Sequence, residues 1–271
     1  MSPEAGSYRG VDELRGLESE VQRLRAQVLV SWEREARLLG WLGLRDGMRV
    51  LELGCGPGFV TERLLALVPH ARVTALDSDP ELLGRARRAL AGDGRVRFVQ
   101  ASAQATGLAD GCFDFVLARY LFQHLPDPET VAREALRVLR PGGQLAVVDL
   151  DAALWGIADP ASPEVLPIYA KTGRAQAARG GDRLVGRRLW RILRSSGFDP
   201  VELEAFVYHS DALGLEAFAP QMDPDRLLPF VRDGSITLEE HARVQQAHRR
   251  FLATPGAYVL MVGLIACGQR P

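Results

Sequence analysis

Along the first forty residues, apolar and polar positions follow a helical rhythm. Leu14, Leu17, Val21, Leu24 and Val28 step by three and four, which gathers them on one face and predicts a helix over residues 11–39. That face packs on the body of the protein or along a second copy, so a monomer and a homodimer both stay open. Two heptads are too few for a coiled coil. From residue 48 the rhythm changes to short β-branched runs: Met48–Leu53, Arg72–Asp77, Val96–Gln100, Phe113–Ala118 and Gln144–Leu150. Helical patterns separate them. Asp79-Pro80 and Asp127-Pro128 each place a capping carboxylate before a proline at the first helical position, and "LRPGG" (Leu139–Gly143) stops the helix before the fifth strand.

Such alternation builds an α/β fold, a mostly parallel sheet with helices on both faces. After Leu150 the rhythm lapses. A proline- and glycine-rich stretch, 152–182, leads to a helix near Leu184–Ser196 and a sixth strand over 199–209. A helical stretch, 211–254, then precedes a seventh strand over 256–268. The expected organisation is an N-terminal helical segment, 1–40, and one domain, 41–271, with cap insertions at about 152–182 and 211–254.

Composition narrows the class. The 271 residues are 47% hydrophobic and 25% charged, with a formal charge of -1. That suits an ordinary soluble enzyme with one large core, and it argues against nucleic acid or an anionic membrane as partner. No apolar run approaches the roughly 18 residues of a bilayer span. The N-terminus lacks the basic-then-apolar order of a signal peptide, so the expected location is the cytoplasm. Cys55, Cys112 and Cys267 have no CxxC spacing and read as reduced packing thiols. Neither HExxH nor a clustered acid-and-histidine pattern is present, so no metal is expected.

The densest candidate chemistry is "VLELGCGPGF", Val50 to Phe59. A strand, a glycine turn and a helix start can cradle a dinucleotide pyrophosphate or an adenosine ligand without phosphate. The dinucleotide pattern is GxGxxG. Here Gly54, Gly56 and Gly58 give GxGxG, and Pro57 removes a backbone donor that a pyrophosphate would use. Glu52 stands two residues before Gly54, within reach of an ammonium group above the loop. Asp77, in "ALDSDP", ends the second strand, where it can accept from two ribose hydroxyls.

With these residues in place, the sequence resembles the class I S-adenosylmethionine-dependent methyltransferases. Four blocks occur in family order: "VLELGCGPG", "ALDSDP", "FDFVLARYLFQHLPDP" and "VLRPGGQLAVVDLD". They span about residues 48–151, and the likeness within the family is to the small-molecule group that includes quinone-biosynthesis enzymes. The resemblance implies a Rossmann-like sheet of seven strands with the last antiparallel, and S-adenosyl-L-methionine as cofactor. It assigns Glu52 and the Gly54–Gly58 loop to the methionine end, Asp77 to the ribose, and Ser78 to the surroundings of the adenine. After the third strand the family usually has an aspartate–alanine pair. This chain has Ser102 and Ala103, so the adenine contact there lacks its carboxylate. Arg119 would line the cofactor floor or pair with a structural carboxylate.

The acceptor side is less determined. Ligands in such sheets bind beyond the carboxyl ends of the strands, so both insertions are placed to roof the cofactor. Trp155, Tyr169, Phe218, Met222 and Phe230 are candidate apolar lining. His209, ending the sixth strand, and Asp151, following the fifth, are candidate bases, with His124 behind them. Between Lys171 and Arg194 eight basic residues face one acidic residue. Arg174, Arg179 and Arg183 in that stretch suit an acidic small-molecule acceptor, of the kind natural-product and other secondary metabolism supplies. Two alternatives stay open: a non-methylating step such as cyclisation on the same fold, and a macromolecular substrate. "LARYL" at the end of the fourth strand differs from the asparagine-proline-proline-aromatic run of methyltransferases acting on planar nitrogens, which weakens nucleobase or glutamine methylation.

Overall fold

A computed structural model describes residues 7–8, 16–154 and 156–271; Leu14 and Trp155 lie outside them. Helix α1 (Gly16–Trp41) precedes an alternating series: β1 (Arg49–Leu53), α2 (Phe59–Leu67), β2 (Arg72–Asp77), α3 (Pro80–Ala89), β3 (Val96–Gln100), β4 (Phe113–Arg119), α4 (Pro128–Val138) and β5 (Leu139–Leu150). Both expected caps form. Asp79 accepts from the amides of Glu81 and Leu82, and Asp127 accepts from that of Thr130.

The later chain holds β6 (Ile157–Asp159), α5 (Leu166–Ala177), α6 (Leu189–Ser195) and β7 (Val201–His209). Three short helices follow, α7 (Ser210–Leu213), α8 (Ala219–Met222) and α9 (Leu228–Arg232), then α10 (Leu238–Ala253) and β8 (Tyr258–Gln269). A capping box between Thr237 and Glu240 starts α10.

Strands β3, β2, β1, β4 and β5 lie side by side in that order, all parallel. β8 runs antiparallel between β5 and β7. The sheet therefore has the expected antiparallel closing strand, but it has eight strands and not seven. β5 pairs with β8 only from Gly263 to Gln269, which leaves the edge of β8 open before that. The chain returns as β6 and fills that edge from Tyr258 to Leu260. Three residues are too short to show a period in the sequence.

Strand alternation divides the core into two layers. Val50, Val73, Phe115 and Val148 face α1 and α2, with Val28, Leu39 and Leu64 packed on them. Leu51, Leu76, Val116 and Val147 face α4 and α6, against Val131, Ala135, Leu189 and Leu193. Burial of such side chains stabilises the fold by about 1.5–3 kcal/mol each. Among the described residues no helix is long and apolar enough to cross a membrane.

Helix α1 departs from its apolar stripe. Its buried residues include Arg23, Gln27, Ser31 and Glu35, a polar row with a spacing of four. A row so spaced runs along one side of a helix. What it faces is the site.

Candidate active site

The carboxyl ends of the central strands open onto a cavity of about 730 Å³. It lies where the strand order reverses between β1 and β4, the position at which open α/β sheets leave a crevice. Its floor comes from the residues after β1, β2, β3 and β4, its wall from α1, and its roof from Gln176, Arg179, Arg183, Arg226, Pro229 and Phe230. Both insertion regions thus reach it. Among the described residues of the expected apolar lining, only Phe230 faces the cavity. Phe218 and Met222 belong to the core against Tyr208 and α1, and Tyr169 lies outside the lining.

The glycine loop has little capacity for phosphate. The amides of Gly54 and Cys55 both donate to the carbonyl of Leu76, that of Gly56 donates to Asp77 Oδ2 at 2.7 Å, and that of Gly58 donates to the carbonyl of Cys55. Pro57 has no N–H. From Gly54 to Gly58 every backbone donor is therefore committed within the protein. Gly56 has φ +53°, a left-handed conformation that favours glycine. Gly58 (φ +86°) does not line the cavity. A Cβ there would stand 2.9 Å from the Cβ of Ala86, so glycine at this position lets α2 start against α3 and does not meet a ligand.

Carboxyl groups dominate this end. Glu52 is 2% exposed and accepts from Thr61 Oγ1 at 2.6 Å. Burial, reinforced by the charge of Asp77, pushes its pKa up to about 8. Asp77 also accepts from the amide of Asp79 at 2.9 Å, and burial raises its pKa despite these bonds. Asp79 and Glu81 join the lining. Ser78, Ser102 and Ala103 stand beside them, and the Ser102 hydroxyl accepts from the amide of Gln104 at 3.2 Å.

Arg119 lines the cavity and is also paired. Its guanidinium donates to Glu35 at 2.7 and 2.9 Å, to Ser31 Oγ at 3.0 Å and to the carbonyl of Gln27 at 3.1 Å. Glu35 is fully buried. The polar row of α1 is thus the receptor for an arginine that arrives from the end of β4. Tyr120, next in the chain, has φ +51°, a conformation that strains a bulky residue and clusters at functional sites. The Arg119 guanidinium lies 4.5 Å from the centre of its ring.

A second part of the lining is cationic. Arg23, from the same row, is held by Glu20 at 2.6 and 2.8 Å, and Glu20 accepts also from the Tyr8 hydroxyl at 2.8 Å. Arg226 donates to the carbonyl of Gln221 at 2.5 Å and has no carboxylate partner among the described residues. Burial, then the charges of Arg23 and Arg183, push its pKa down to about 9. The Arg183 carbonyl accepts from the amide of Ala152 at 2.8 Å, while its guanidinium makes no hydrogen bond or ion pair among the described residues, and burial with the charge of Arg23 lowers its pKa. Arg179 pairs with Asp233, and Arg174 is exposed and outside the lining. His124 lines this end with Nδ1 3.2 Å from the Ser7 hydroxyl. Burial and the charges of Arg183 and Arg23 push its pKa down to about 3.

Neither expected base faces the cavity. Asp151 is 1% exposed and engaged by Arg187 at 2.5 and 2.9 Å. His209 ends β7, the far edge of the sheet, beside Tyr258. Both stand at the carboxyl edge as the sequence implies, but the cavity sits over β1 and β4. The structure adds a carboxylate that sequence reasoning missed. Asp149, fully buried at the end of β5, accepts from the amides of Gln123 and Leu150 at 3.0 and 2.8 Å. It fixes the loop after β4, whose Gln123 carbonyl accepts from Asp182 and Gln176 of the roof.

Residues 51–147 match the family described as "Methyltransferase domain". The chain is 30% identical over 245 residues to trans-aconitate 2-methyltransferase of Methylobacterium radiotolerans, with 83% of this chain and 90% of that protein covered. The enzyme of the same name from Azoarcus sp. is 44% identical over 115 residues, 42% of this chain and 44% of that one, so this match spans less than half of its length. Among solved structures, Haemonchus contortus phosphoethanolamine N-methyltransferase 2, in complex with phosphomonomethylethanolamine and S-adenosylhomocysteine, superposes with a TM-score of 0.59 at 16% identity, covering 96% of this chain and 59% of that one. That structure shares the fold. By the match over 83% of this chain, and with a glycine loop that suits an adenosyl ligand free of phosphate, the chain belongs to the class I S-adenosylmethionine-dependent methyltransferases.

Proposed function

We propose that this enzyme transfers a methyl group from S-adenosylmethionine to a carboxylate oxygen of a small acidic acceptor held by arginines under the roof. The observation that supports this most strongly is the division of one cavity into a carboxyl end and an arginine end.

The carboxyl end suits a cofactor that is a cation without phosphate. In this reading Glu52 receives the ammonium group, the open sides of Gly54 and Gly56 receive the methionine portion, and Asp77 receives the ribose hydroxyls. Ser78, Ser102 and Ala103 flank the adenine, and Arg119 lines the floor with its charge balanced by Glu35. Gly58 serves by packing. When bound, the cofactor supplies a methyl group on a sulfonium, whose departure as a neutral thioether needs no acid.

At the other end Arg183 and Arg226 provide guanidinium forks without carboxylate partners among the described residues. Such forks bind carboxylates through paired, charge-assisted hydrogen bonds, and they keep the acceptor ionised. An ionised carboxylate needs no base. The lining agrees: His124 has a pKa of about 3, and Glu20 is engaged by Arg23. Alignment and exclusion of water by the roof then supply the acceleration. The relatives named for trans-aconitate, a small polycarboxylate, fit this class of acceptor. A setting in secondary metabolism is compatible with it.

The test is incubation with S-adenosylmethionine labelled on the methyl carbon and a panel of small carboxylic acids, trans-aconitate included, beside their amides. We expect label in a base-labile methyl ester with acids only, and one S-adenosylhomocysteine per ester. Transfer to amides or neutral phenols, with none to acids, would overturn the reading.

A further inference from the structure

We infer that Asp149 is a positioning residue for the acceptor: its carboxylate holds the loop after β4, and that loop holds the backbone of Arg183. The inference rests on the role proposed above for Arg183 under the roof. Because the Arg183 guanidinium has no hydrogen-bond or ion-pair partner among the described residues, its backbone sets where it stands. The chain is anchored on both sides of that residue. The amide of Asp182 donates to the carbonyl of Gln123 at 2.8 Å, and the carbonyl of Arg183 accepts from the amide of Ala152 at 2.8 Å. The Gln123 carbonyl also takes a second donor from the roof, Gln176 Nε2 at 3.2 Å. This approach requires glycine. A Cβ on Gly181 would stand 2.8 Å from the Gln123 carbonyl oxygen and would also meet Ser7 Oγ, and one on Gly180 would stand 2.9 Å from Pro126 Cβ. Gly180-Gly181-Asp182 is thus the point at which the first insertion docks on the loop after β4.

Asp149 holds the same loop from the sheet. It is fully buried at the end of β5. Its Oδ2 accepts from the amide of Gln123 at 3.0 Å, its Oδ1 accepts from that of Leu150 at 2.8 Å, and the amide of Phe122 bonds the carboxylate too. No cation forms an ion pair with it among the described residues. A buried carboxylate without a counter-charge is costly, and here it is matched by backbone donors, which bind an ionised acceptor more strongly than a neutral one. Gln123 therefore gives its amide to Asp149 and its carbonyl to Asp182, so one residue joins the end of β5 to the neighbour of Arg183. The charge of Asp149 also raises the pKa of Arg183, which puts the carboxylate within electrostatic reach of that guanidinium.

Steady-state kinetics test this, with the carboxylic acid of the panel above that takes up label fastest as acceptor, beside calorimetry for S-adenosylhomocysteine. Asp149→Asn keeps the shape and removes the buried charge, so it should fold, but it retains one acceptor oxygen where amides converge. Its acceptor KM should rise at least about fivefold, a charge-assisted bond weakened but not lost. Its kcat and the S-adenosylhomocysteine constant should stay within about threefold. Gly181→Ala disturbs the same contact from the roof side and should give the same split. In Arg183→Gln with Asp149→Asn, KM should lie within about twofold of Arg183→Gln alone, because residues acting through one contact are not additive. A carboxylate serving stability alone would raise KM equally in both backgrounds, or lower kcat and cofactor affinity alongside. Either result, or an unchanged KM in both Asp149→Asn and Gly181→Ala, would overturn the inference. An unchanged KM in Arg183→Gln itself would instead refute the acceptor reading on which it rests.

Discussion

Glu52 is a carboxyl group whose environment opposes its charge until a cation arrives. Its pKa in the folded protein, about 8, exceeds the ordinary 4.5 because burial outweighs the Thr61 hydroxyl. The folded state then binds a proton that the unfolded state has released, so stability falls as pH rises from about 4.5 to about 8. Asp149, pushed up to about 7 by burial, acts in the same direction. The ligand-free protein should therefore lose melting temperature between pH 5 and pH 8, and Glu52→Gln should lessen the slope. A profile equally steep in the variant would contradict this. Asp77→Ala should abolish most of the thermal shift given by S-adenosylhomocysteine, since a ligand that binds only the folded state stabilises by mass action; an undiminished shift would remove Asp77 from the site. The placement of Glu52, Gly54, Gly56 and Asp77 at the cavity was legible in the sequence because each stands at the end of a strand or in the turn that follows it. Glu35 and Arg119 are 84 positions apart, and no local pattern joins them.

Helix α1 shows how far an element can be read. Its apolar stripe is visible, yet the decisive side is the row Arg23, Gln27, Ser31 and Glu35, which resembles a solvated face until the end of β4 is placed against it. Glu35→Ala would leave Arg119 buried without its counter-charge and should cost about 3–5 kcal/mol, read by urea unfolding. Replacing both partners, Glu35→Leu with Arg119→Met, should cost less than the single change, because no uncompensated charge remains. A double variant less stable than Glu35→Ala would contradict this account of the pair. Gly58→Ala should destabilise by at least about 1 kcal/mol, from its positive φ alone. Adding Ala86→Gly should recover only the part due to the 2.9 Å approach. The aspartate–proline caps were legible because capping is local chemistry. β6 was not, because only the free edge of β8 makes three residues a strand.

Across the whole molecule a formal charge of -1 conceals two opposed ends of one cavity. The count of basic residues between Lys171 and Arg194 pointed to the roof, but the fold sorts them. Arg179, Arg187, Arg188 and Arg194 pair with Asp233, Asp151, Asp182 and Asp199. Among the described residues, Arg183 alone of that group lines the cavity with an unpaired guanidinium, and it meets Arg23 from the N-terminal helix and Arg226 from the second insertion. Those two come from opposite ends of the chain, which is why no window of sequence contains the cluster. The most direct test of an arginine-held acceptor compares its KM with the dissociation constant of S-adenosylhomocysteine in Arg183→Gln and Arg226→Gln. Each variant should raise the KM of a carboxylic-acid acceptor at least about tenfold, the loss of a charge-assisted bond, while the S-adenosylhomocysteine constant stays within about threefold. An unchanged KM, or a loss of cofactor affinity as large as the loss of acceptor, would contradict it.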